Sequence, residues 1–325
     1  MKITDHKLSE GIALTFRVPE GNMKHPLIIL CHGFCGIRNV LLPCFANAFT
    51  EAGFATITFD YRGFGESEGE RGRLVPAMQI EDIISVINWA EKQACIDNQR
   101  IGLWGTSLGG CHVFSAAAQD QRVKCIVSQL AFADGDALIT GEMNELERAS
   151  FLSTLNKMAE KKKNTGKEMF VGVTRVLNDD ESKVFFEKVK AQHPEMDIKI
   201  PFLTVMETLQ YKPAESAARV QCPVLVVIAG QDSVNPPEQG RALYDAVVNR
   251  PGFPGEYFIC ELRLPDHYFR WKHNKLFLLL PEEYGPAFPA IVDCYTSPPT
   301  LVWPVPLLSG FSSYYGVLPP LCKDH

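Results

Sequence analysis

The fold is decided by the stretch Arg100-Ile-Gly-Leu-Trp-Gly-Thr-Ser-Leu-Gly-Gly-Cys-His-Val113. An apolar segment runs through a glycine-flanked serine directly into a helix-favouring segment, and residues 105–109 form a G-x-S-x-G pentapeptide. A serine in this pattern occupies a strained turn between a strand and a helix, where small neighbours let other backbone come close. The pattern therefore predicts that Ser107 lies at a sheet edge, with the N–H of Leu108 directed at the atom under attack.

The overall composition excludes several classes of protein. The chain has 325 residues, of which 46% are hydrophobic and 22% charged, and its formal net charge is −6. This balance is typical of a globular domain with a large core, and it offers no basic surface for nucleic acid or for an anionic membrane. The polar first ten residues and the lack of an apolar run of about 18 residues lead us to expect a cytoplasmic protein.

Neither a metal nor a nucleotide cofactor is expected. The ten cysteines are scattered, and several lie in apolar, strand-like runs, as buried free thiols do. Cys31 and Cys35 lie close to His32, but no second Cys/His pair stands at the spacing of a zinc site. The glycines of residues 61–69 do not have the G-x-G-x-x-G spacing of a dinucleotide-binding turn.

Apolar strands alternate with helical patterns along most of the chain. This alternation predicts an α/β fold with a mostly parallel, twisted sheet and helices on both faces. Strands that are apolar along their whole length are typical of a sheet covered on both faces. The expected buried strands are 26–31, 55–60, 100–106, 123–131, 223–230 and 256–262, after an opening antiparallel strand at 11–19, and the expected helices are 39–52, 75–93, 108–118 and 238–248.

The sequence divides into a core, an insertion and an extension. Residues 1–133 and 221–280 carry the strands of the core. Residues 134–220 are charged and helix-favouring, which predicts a helical lid inserted over the strand ends. Residues 281–325 contain nine of the 22 prolines and form an extension that cannot be one long helix.

Three polar residues distant in sequence each follow an apolar strand: Ser107, Asp232 and His267. The carboxyl ends of parallel strands share one edge of the sheet, so these side chains are expected to converge. A serine hydroxyl becomes nucleophilic when an imidazole accepts its proton, and a carboxylate orients that imidazole. Asp134, which follows the preceding strand, is the alternative acid. Asp232 is favoured because it lies in a short turn before a proline-initiated helix, whereas Asp134 has the position of a helix cap.

The loop after the second expected strand supplies a further element of the site. His32-Gly33-Phe34 follows the apolar run 26–31, so it lies near the same sheet edge as Ser107. The N–H of Phe34 is the predicted second donor of an oxyanion hole, beside that of Leu108. His32 itself is interpreted as a hydrogen-bonded residue that holds this loop.

Taken together, five motifs resemble those of the α/β-hydrolase superfamily: His32-Gly33-Phe34, residues 60–65, residues 105–110, Gly230-Gln231-Asp232 and Asp266-His267-Tyr268. The Trp104-Gly-Thr-Ser107 form is similar to the esterase-like branch with dienelactone hydrolases and the catalytic domains of X-prolyl dipeptidyl-peptidase and cocaine-esterase type enzymes. The resemblance implies a cofactor-free serine hydrolase or acyltransferase with Phe34 and Leu108 as oxyanion donors. The chain departs from the family after His267, where a final helix is replaced by proline-rich sequence.

Three functions follow from these residues. The first is cleavage of a carboxylic ester, lactone or thioester through an acyl-Ser107 intermediate, with a small acyl compound as the partner. The second is an acyltransferase or thioesterase that releases a polyketide-type acyl chain. The third is a non-catalytic small-molecule receptor, because a fold does not fix a function. The oligomeric state is left open, a homodimer included.

Overall fold

The computed structural model describes residues 1–249 with their side chains and the backbone of three later strands, Tyr257–Leu262, Leu276–Leu279 and Pro289–Val292. The chain divides into two units, Met1–Tyr268 and Phe269–His325, which we describe separately. The strands are β1 (Lys2–Lys7), β2 (Ala13–Val18), β3 (His25–Cys31), β4 (Ala55–Phe59), β5 (Ile96–Thr106), β6 (Val123–Gln129), β7 (Phe170–Gly172), β8 (Lys199–Pro201), β9 (Val224–Ala229), β10 (Tyr257–Leu262), β11 (Leu276–Leu279) and β12 (Pro289–Val292). The helices are α1 (Leu42–Glu51), α2 (Pro76–Ala90), α3 (Leu108–Ala117), α4 (Gly135–Thr140), α5 (Glu145–Thr165), α6 (Asp180–Gln192), α7 (Thr204–Gln210), α8 (Pro213–Ala217) and α9 (Pro237–Val248).

The first unit is built on an eight-stranded sheet in the order β1-β2-β4-β3-β5-β6-β9-β10. The pairs β1–β2 and β2–β4 are antiparallel, and every pair from β4 to β10 is parallel. Strands β3, β4 and β9 are buried along their whole length, as their continuous apolar sequence predicts. The predicted α/β architecture with a mostly parallel sheet is therefore confirmed.

The order in which successive strands are added to the sheet reverses at β3. Helix α1 connects β3 to β4 on one side, and α2 connects β4 to β5 on the other side of β3. Right-handed crossovers that run in opposite directions place α1 and α2 on opposite faces of the sheet. The reversal leaves a crevice between the carboxyl ends of β3 and β5, which is where open α/β sheets bind their ligands.

Strand β1 is one of the elements that the sequence pattern did not predict. Its sequence, Lys-Ile-Thr-Asp-His-Lys, is mostly polar and largely exposed. It is the outermost strand, with β2 as its partner, so it needs no apolar face toward the core. Hydrophobic periodicity cannot detect such a strand, because backbone hydrogen bonds to β2 define it.

The segment between β6 and β9 contains helices α4 to α8 and a two-stranded antiparallel sheet formed by β7 and β8. The small sheet was not expected from the sequence. The segment is joined to the core by Arg73, whose guanidinium donates to both carboxylate oxygens of Glu168 at 3.1 and 2.7 Å. Gly72 lies against the backbone of Lys199 so closely that a Cβ would stand 2.2 Å from its carbonyl oxygen. The insertion is thus packed on the loop that follows β4.

In the second unit, β11 and β12 form an antiparallel pair in which Leu276 is opposite Val292 and Leu279 opposite Pro289. The remainder of the predicted extension, residues 281–325, lies outside the described residues, and its boundary at 281 stays a prediction. Within the described part of the chain, no helix has both the length and the apolar character needed to cross a bilayer.

Candidate active site

Ser107 stands at the turn between β5 and α3. Its backbone angles are φ 53° and ψ −124°, and its N–H donates to the carbonyl of Gln129 at 2.8 Å. A non-glycine residue held outside the common backbone regions costs about 1–3 kcal/mol, so the surrounding structure must enforce this turn. The side chain of Ser107 remains partly exposed. Ser107 therefore lies in a strained turn at the sheet edge, as its sequence pattern predicts.

Glycines make this turn sterically feasible. A Cβ at Gly109 would lie 2.2 Å from the carbonyl oxygen of Cys31, and a Cβ at Gly105 would lie 2.2 Å from that of Gly109. A Cβ at Gly33 would lie 3.0 Å from Cβ of Ser107. The start of α3 is therefore packed directly against the backbone at the end of β3. This contact brings the loop of Phe34 to the nucleophile.

The two predicted oxyanion donors are residues of the helix start and of the cleft at Ser107. Leu108 is the first residue of α3, and the first N–H groups of a helix have no acceptor within that helix. Phe34 follows β3 and lines the same cleft as Ser107. Acyl transfer requires backbone N–H groups directed at one carbonyl oxygen, and the assignment of this role to Phe34 and Leu108 stays a prediction.

A buried ion pair holds the loop that carries Phe34. The guanidinium of Arg38 binds the carboxylate of Asp60, and their side chains are only 5% and 1% exposed. Asp60 also accepts from the backbone N–H of Arg38 at 2.6 Å and of Glu66 at 3.0 Å. Asp60 lies in the motif of residues 60–65, but no role was predicted for it, and Arg38 belongs to none of the motifs. Only the buried charge in three dimensions shows that the pair anchors this loop.

His32 lies in the same loop and is fully enclosed. Its Nδ1 is 3.1 Å from the carbonyl oxygen of Gly33, and its ring packs edge-on against Tyr61 with centroids 4.8 Å apart. Burial lowers the pKa of His32, so it stays neutral. These contacts support the interpretation that His32 holds the loop.

Asp232 follows β9 in a tight turn and is 6% exposed. Its Oδ1 accepts from the backbone N–H of Val234 at 2.9 Å and of Asn235 at 2.8 Å. Nδ2 of Asn235 lies 3.5 Å from Oγ of Ser107, across a separation of 128 residues. The turn after β9 is thus brought to the nucleophile. Nothing in the sequence pattern singled out Asn235.

The carboxylate of the alternative acid, Asp134, binds backbone N–H groups and a lysine. Its Oδ1 accepts from the backbone N–H of Asp136 at 2.8 Å and of Ala137 at 3.0 Å, which caps α4. The same oxygen binds the ammonium of Lys212. The carboxylate therefore stabilises the start of the insertion, as its sequence position indicated. His267 lies outside the described residues, so its role as the base stays a prediction.

A cleft opens at Ser107. Apolar side chains dominate its walls. Its lining includes residues that follow β3, namely Phe34, Val40, Leu41 and Leu42, and residues of the insertion, namely Leu177, Ser182, Phe185, Phe186 and Met196. Phe185 and Phe186 of the insertion line the cleft. Phe151 and Phe202 pack instead against the small cluster of Leu155, Val205 and Leu209.

Behind the nucleophile, a buried polar network joins α3 to the insertion. Nε2 of His112 lies 2.8 Å from Oε1 of Gln79, and its Nδ1 lies 3.0 Å from the hydroxyl of Tyr211. The hydroxyl of Tyr211 also lies 2.9 Å from Oγ of Ser115. Burial, with a smaller contribution from His32, lowers the pKa of His112 to about 3. The imidazole is therefore a neutral structural group.

The sequence and the structure are both similar to those of known proteins. A family model for the alpha/beta hydrolase fold matches residues 26–259. A 31.7 kDa protein of the traX-finO intergenic region of Escherichia coli is 93% identical over 249 residues, which cover 77% of this chain and 87% of that protein. The quorum-quenching protein AidA of Acinetobacter baumannii is 30% identical over 225 residues, covering 67% of this chain and 74% of AidA. The crystal structure of the alpha/beta hydrolase GrgF from Penicillium sp. matches with a TM-score of 0.64 and 19% identity, over 83% of this chain and 91% of GrgF.

Proposed function

The chain belongs to the α/β-hydrolase family, and from this premise we propose that it is a serine hydrolase that cleaves a carboxylic ester, lactone or thioester. The observation that carries the proposal is the strained turn at Ser107, whose side chain opens into an apolar cleft beside the Phe34 loop. Strain of this kind is maintained where a function requires it.

In the proposed acylation step, Oγ of Ser107 attacks the carbonyl carbon of the substrate and its proton passes to His267. The N–H groups of Phe34 and Leu108 stabilise the negative charge on the carbonyl oxygen. His267 then protonates the departing alcohol or thiol, and Asp232 keeps the imidazole in the required tautomer. Water attacks the acyl-serine in the second half of the reaction, which returns the proton to Oγ.

The cleft favours an acyl group that is apolar and longer than acetyl. Each methylene that is buried contributes about 0.8 kcal/mol, which corresponds to roughly a fourfold rise in kcat/KM per methylene. Phe185 faces the cleft from the insertion. A Phe185→Ala variant is therefore expected to flatten the dependence on chain length while it retains activity on the acetyl ester.

Labelling with a fluorophosphonate probe tests the nucleophile. The wild type is expected to react, and Ser107→Ala is expected to remain unlabelled and to lose about 10⁶ in turnover of p-nitrophenyl butyrate. Ser128→Ala is the control, because Ser128 is a buried serine whose Oγ donates to the carbonyl of Gly110 at 2.9 Å, outside the cleft lining. Labelling that persists at another serine of Ser107→Ala would reject the proposal, and a wild type that binds acyl compounds without labelling would favour a receptor.

Acyl transfer is the second candidate. It is favoured by the similarity to GrgF, which is named a polyketide transferase, and by the apolar character of the cleft. A transferase hands the acyl group from Ser107 to an alcohol or amine instead of water. Product analysis of a butyryl thioester in the presence of increasing concentrations of a primary alcohol separates the two: a hydrolase yields butyric acid, and a transferase yields the ester.

A further inference from the structure

We propose that Asn235 is a further catalytic residue, whose side-chain amide donates to Oγ of Ser107 and stabilises the charge on that oxygen when the acyl-enzyme breaks down. This inference rests on the proposed function. The contact between Nδ2 of Asn235 and Oγ of Ser107 measures 3.5 Å, the long end of a hydrogen bond. Catalytic hydrogen bonds are often long in the ligand-free enzyme and shorten in the complex with substrate.

The structure holds the Asn235 side chain in place. The residue is 8% exposed, and its backbone N–H donates to Oδ1 of Asp232 at 2.8 Å. Pro236 follows and caps α9, with its φ fixed near −51°. One residue therefore contacts both the nucleophile and the predicted acid. A surface asparagine would not be restrained in this way.

The hydroxyl oxygen of Ser107 is able to accept a hydrogen bond at this position. In the proposed free enzyme, the hydroxyl of Ser107 donates a hydrogen bond to the base His267, so an oxygen lone pair is open to an N–H group. The amide nitrogen of Asn235 supplies that N–H. The hydrogen bond fixes the rotamer of Ser107 before substrate arrives.

The two halves of the reaction depend differently on this donor. During acylation, the hydroxyl oxygen of Ser107 already accepts from Asn235 before it attacks, so the hydrogen bond stabilises the ground state as well as the transition state and the step gains little. In the acyl-enzyme, by contrast, Oγ is an ester oxygen and a weak acceptor. During deacylation, the C–Oγ bond breaks and its electron pair returns to Oγ, which then takes a proton from His267. The N–H of Asn235 stabilises that developing charge, and only an interaction that strengthens in the transition state accelerates a step. Asn235 therefore speeds the release of the acyl group.

Pre-steady-state kinetics with p-nitrophenyl butyrate test this assignment. Asn235→Leu keeps a side chain of similar size and removes the donor. We expect its kcat to fall about 10- to 100-fold, at or below the lower limit of the roughly 100- to 1,000-fold loss for one donor to a charged oxygen. We expect the rate of fluorophosphonate labelling to stay within threefold of wild type. A burst of p-nitrophenol and accumulation of butyryl-Ser107, seen by mass spectrometry, should appear in the variant.

Two further variants separate catalysis from folding. Asn235→Asp keeps the shape of the side chain and the backbone hydrogen bond but presents an acceptor to Oγ, so deacylation should slow at least as much as in Asn235→Leu. Ser233→Ala alters an exposed residue of the same turn and should behave as wild type.

The inference is overturned when both Asn235 variants keep kcat within threefold of wild type. It is also overturned when labelling and turnover fall in parallel with the melting temperature, which is the signature of a structural role. A wild type that neither labels nor turns over the ester overturns the proposed function itself, a result that the wild type alone reveals.

Discussion

The hydroxyl of Tyr211 lies 3.0 Å from Nδ1 of His112, and this contact joins the inserted segment to the helix that begins at the nucleophile. Oε1 of Gln79 can only accept a hydrogen bond, so Nε2 of His112 carries the proton and Nδ1 accepts from Tyr211. Protonation of His112 would turn Nδ1 into a donor and place a charge in a site that is 0% exposed. Burial of this site therefore favours the neutral form of His112.

The stability of the protein is expected to depend on His112 below neutral pH. The pKa of His112 is about 3 in the folded chain and about 6.5 in an unfolded one. Between these values the unfolded chain binds a proton that the folded chain does not, so the free energy of unfolding falls as the pH drops below about 6.5. One such group gives a slope of up to about 1.4 kcal/mol per pH unit.

Urea unfolding at pH 7.5 and pH 5.5 measures this slope. The free energy of unfolding of the wild type should decrease more between the two values than that of His112→Gln. Other titrating groups are common to both proteins, so the difference isolates His112. Equal decreases in the two proteins would show that His112 does not remain neutral when buried.

The choice of acid gives a second prediction. Asp232→Asn should lower turnover by roughly 10⁴ without loss of the fold, because the amide cannot hold the imidazole in the required tautomer. Asp134→Asn should lower it far less, since the Asp134 carboxylate caps α4 and binds Lys212. Losing part of a helix cap costs about 1 kcal/mol. Steady-state kinetics and melting temperatures of the two variants decide the matter, and an exchange of the two effects would assign the acid to Asp134.

The third prediction concerns the close packing of α3 on β3. Gly109→Ala places a Cβ 2.2 Å from the carbonyl oxygen of Cys31, where only movement of backbone can relieve the clash. Overpacking of a core typically costs 1–3 kcal/mol, and we expect about 3 kcal/mol or more because backbone must shift. Fluorophosphonate labelling should be lost together with stability. Gly172→Ala is the control, since Gly172 has a φ of −64° and no atom within 4 Å of the added Cβ. A Gly109→Ala protein with wild-type stability and labelling would contradict this packing.

The fourth prediction concerns the anchor of the Phe34 loop. Arg38→Met leaves the Asp60 carboxylate buried without its cation, and breaking a buried pair costs about 3–5 kcal/mol. Turnover should fall as well, because the loop that carries the oxyanion donor loses its support. Arg100→Met is the control. It removes an ion pair with Asp97, and the side chains of Arg100 and Asp97 are 31% and 27% exposed. Surface pairs contribute at most about 1 kcal/mol, so urea unfolding should show a much smaller effect. Similar losses in the two variants would refute the anchoring role.

The sequence by itself determined the architecture and the nucleophile turn. Buried parallel strands such as β3 and β9 are recognisable because both faces are covered, which makes the whole strand apolar. The turn at Ser107 is recognisable because the close approach of the backbone at Cys31 excludes any side chain at Gly109. Both requirements act on residues that are close together in the sequence, so the sequence pattern reveals them.

Only the tertiary structure decided which distant side chains meet. Asn235 contacts Ser107, which is 128 residues away in the sequence, and Arg38 binds Asp60, which is 22 residues away. The loops that contain these residues have no periodic sequence pattern. Strand β1 is likewise defined by its pairing with β2 and not by its own composition. The physical reason is that a contact between loops depends on the order of strands in the sheet and on the packing between them. A hydrogen bond from an amide to a hydroxyl leaves no pattern in the residues around either partner.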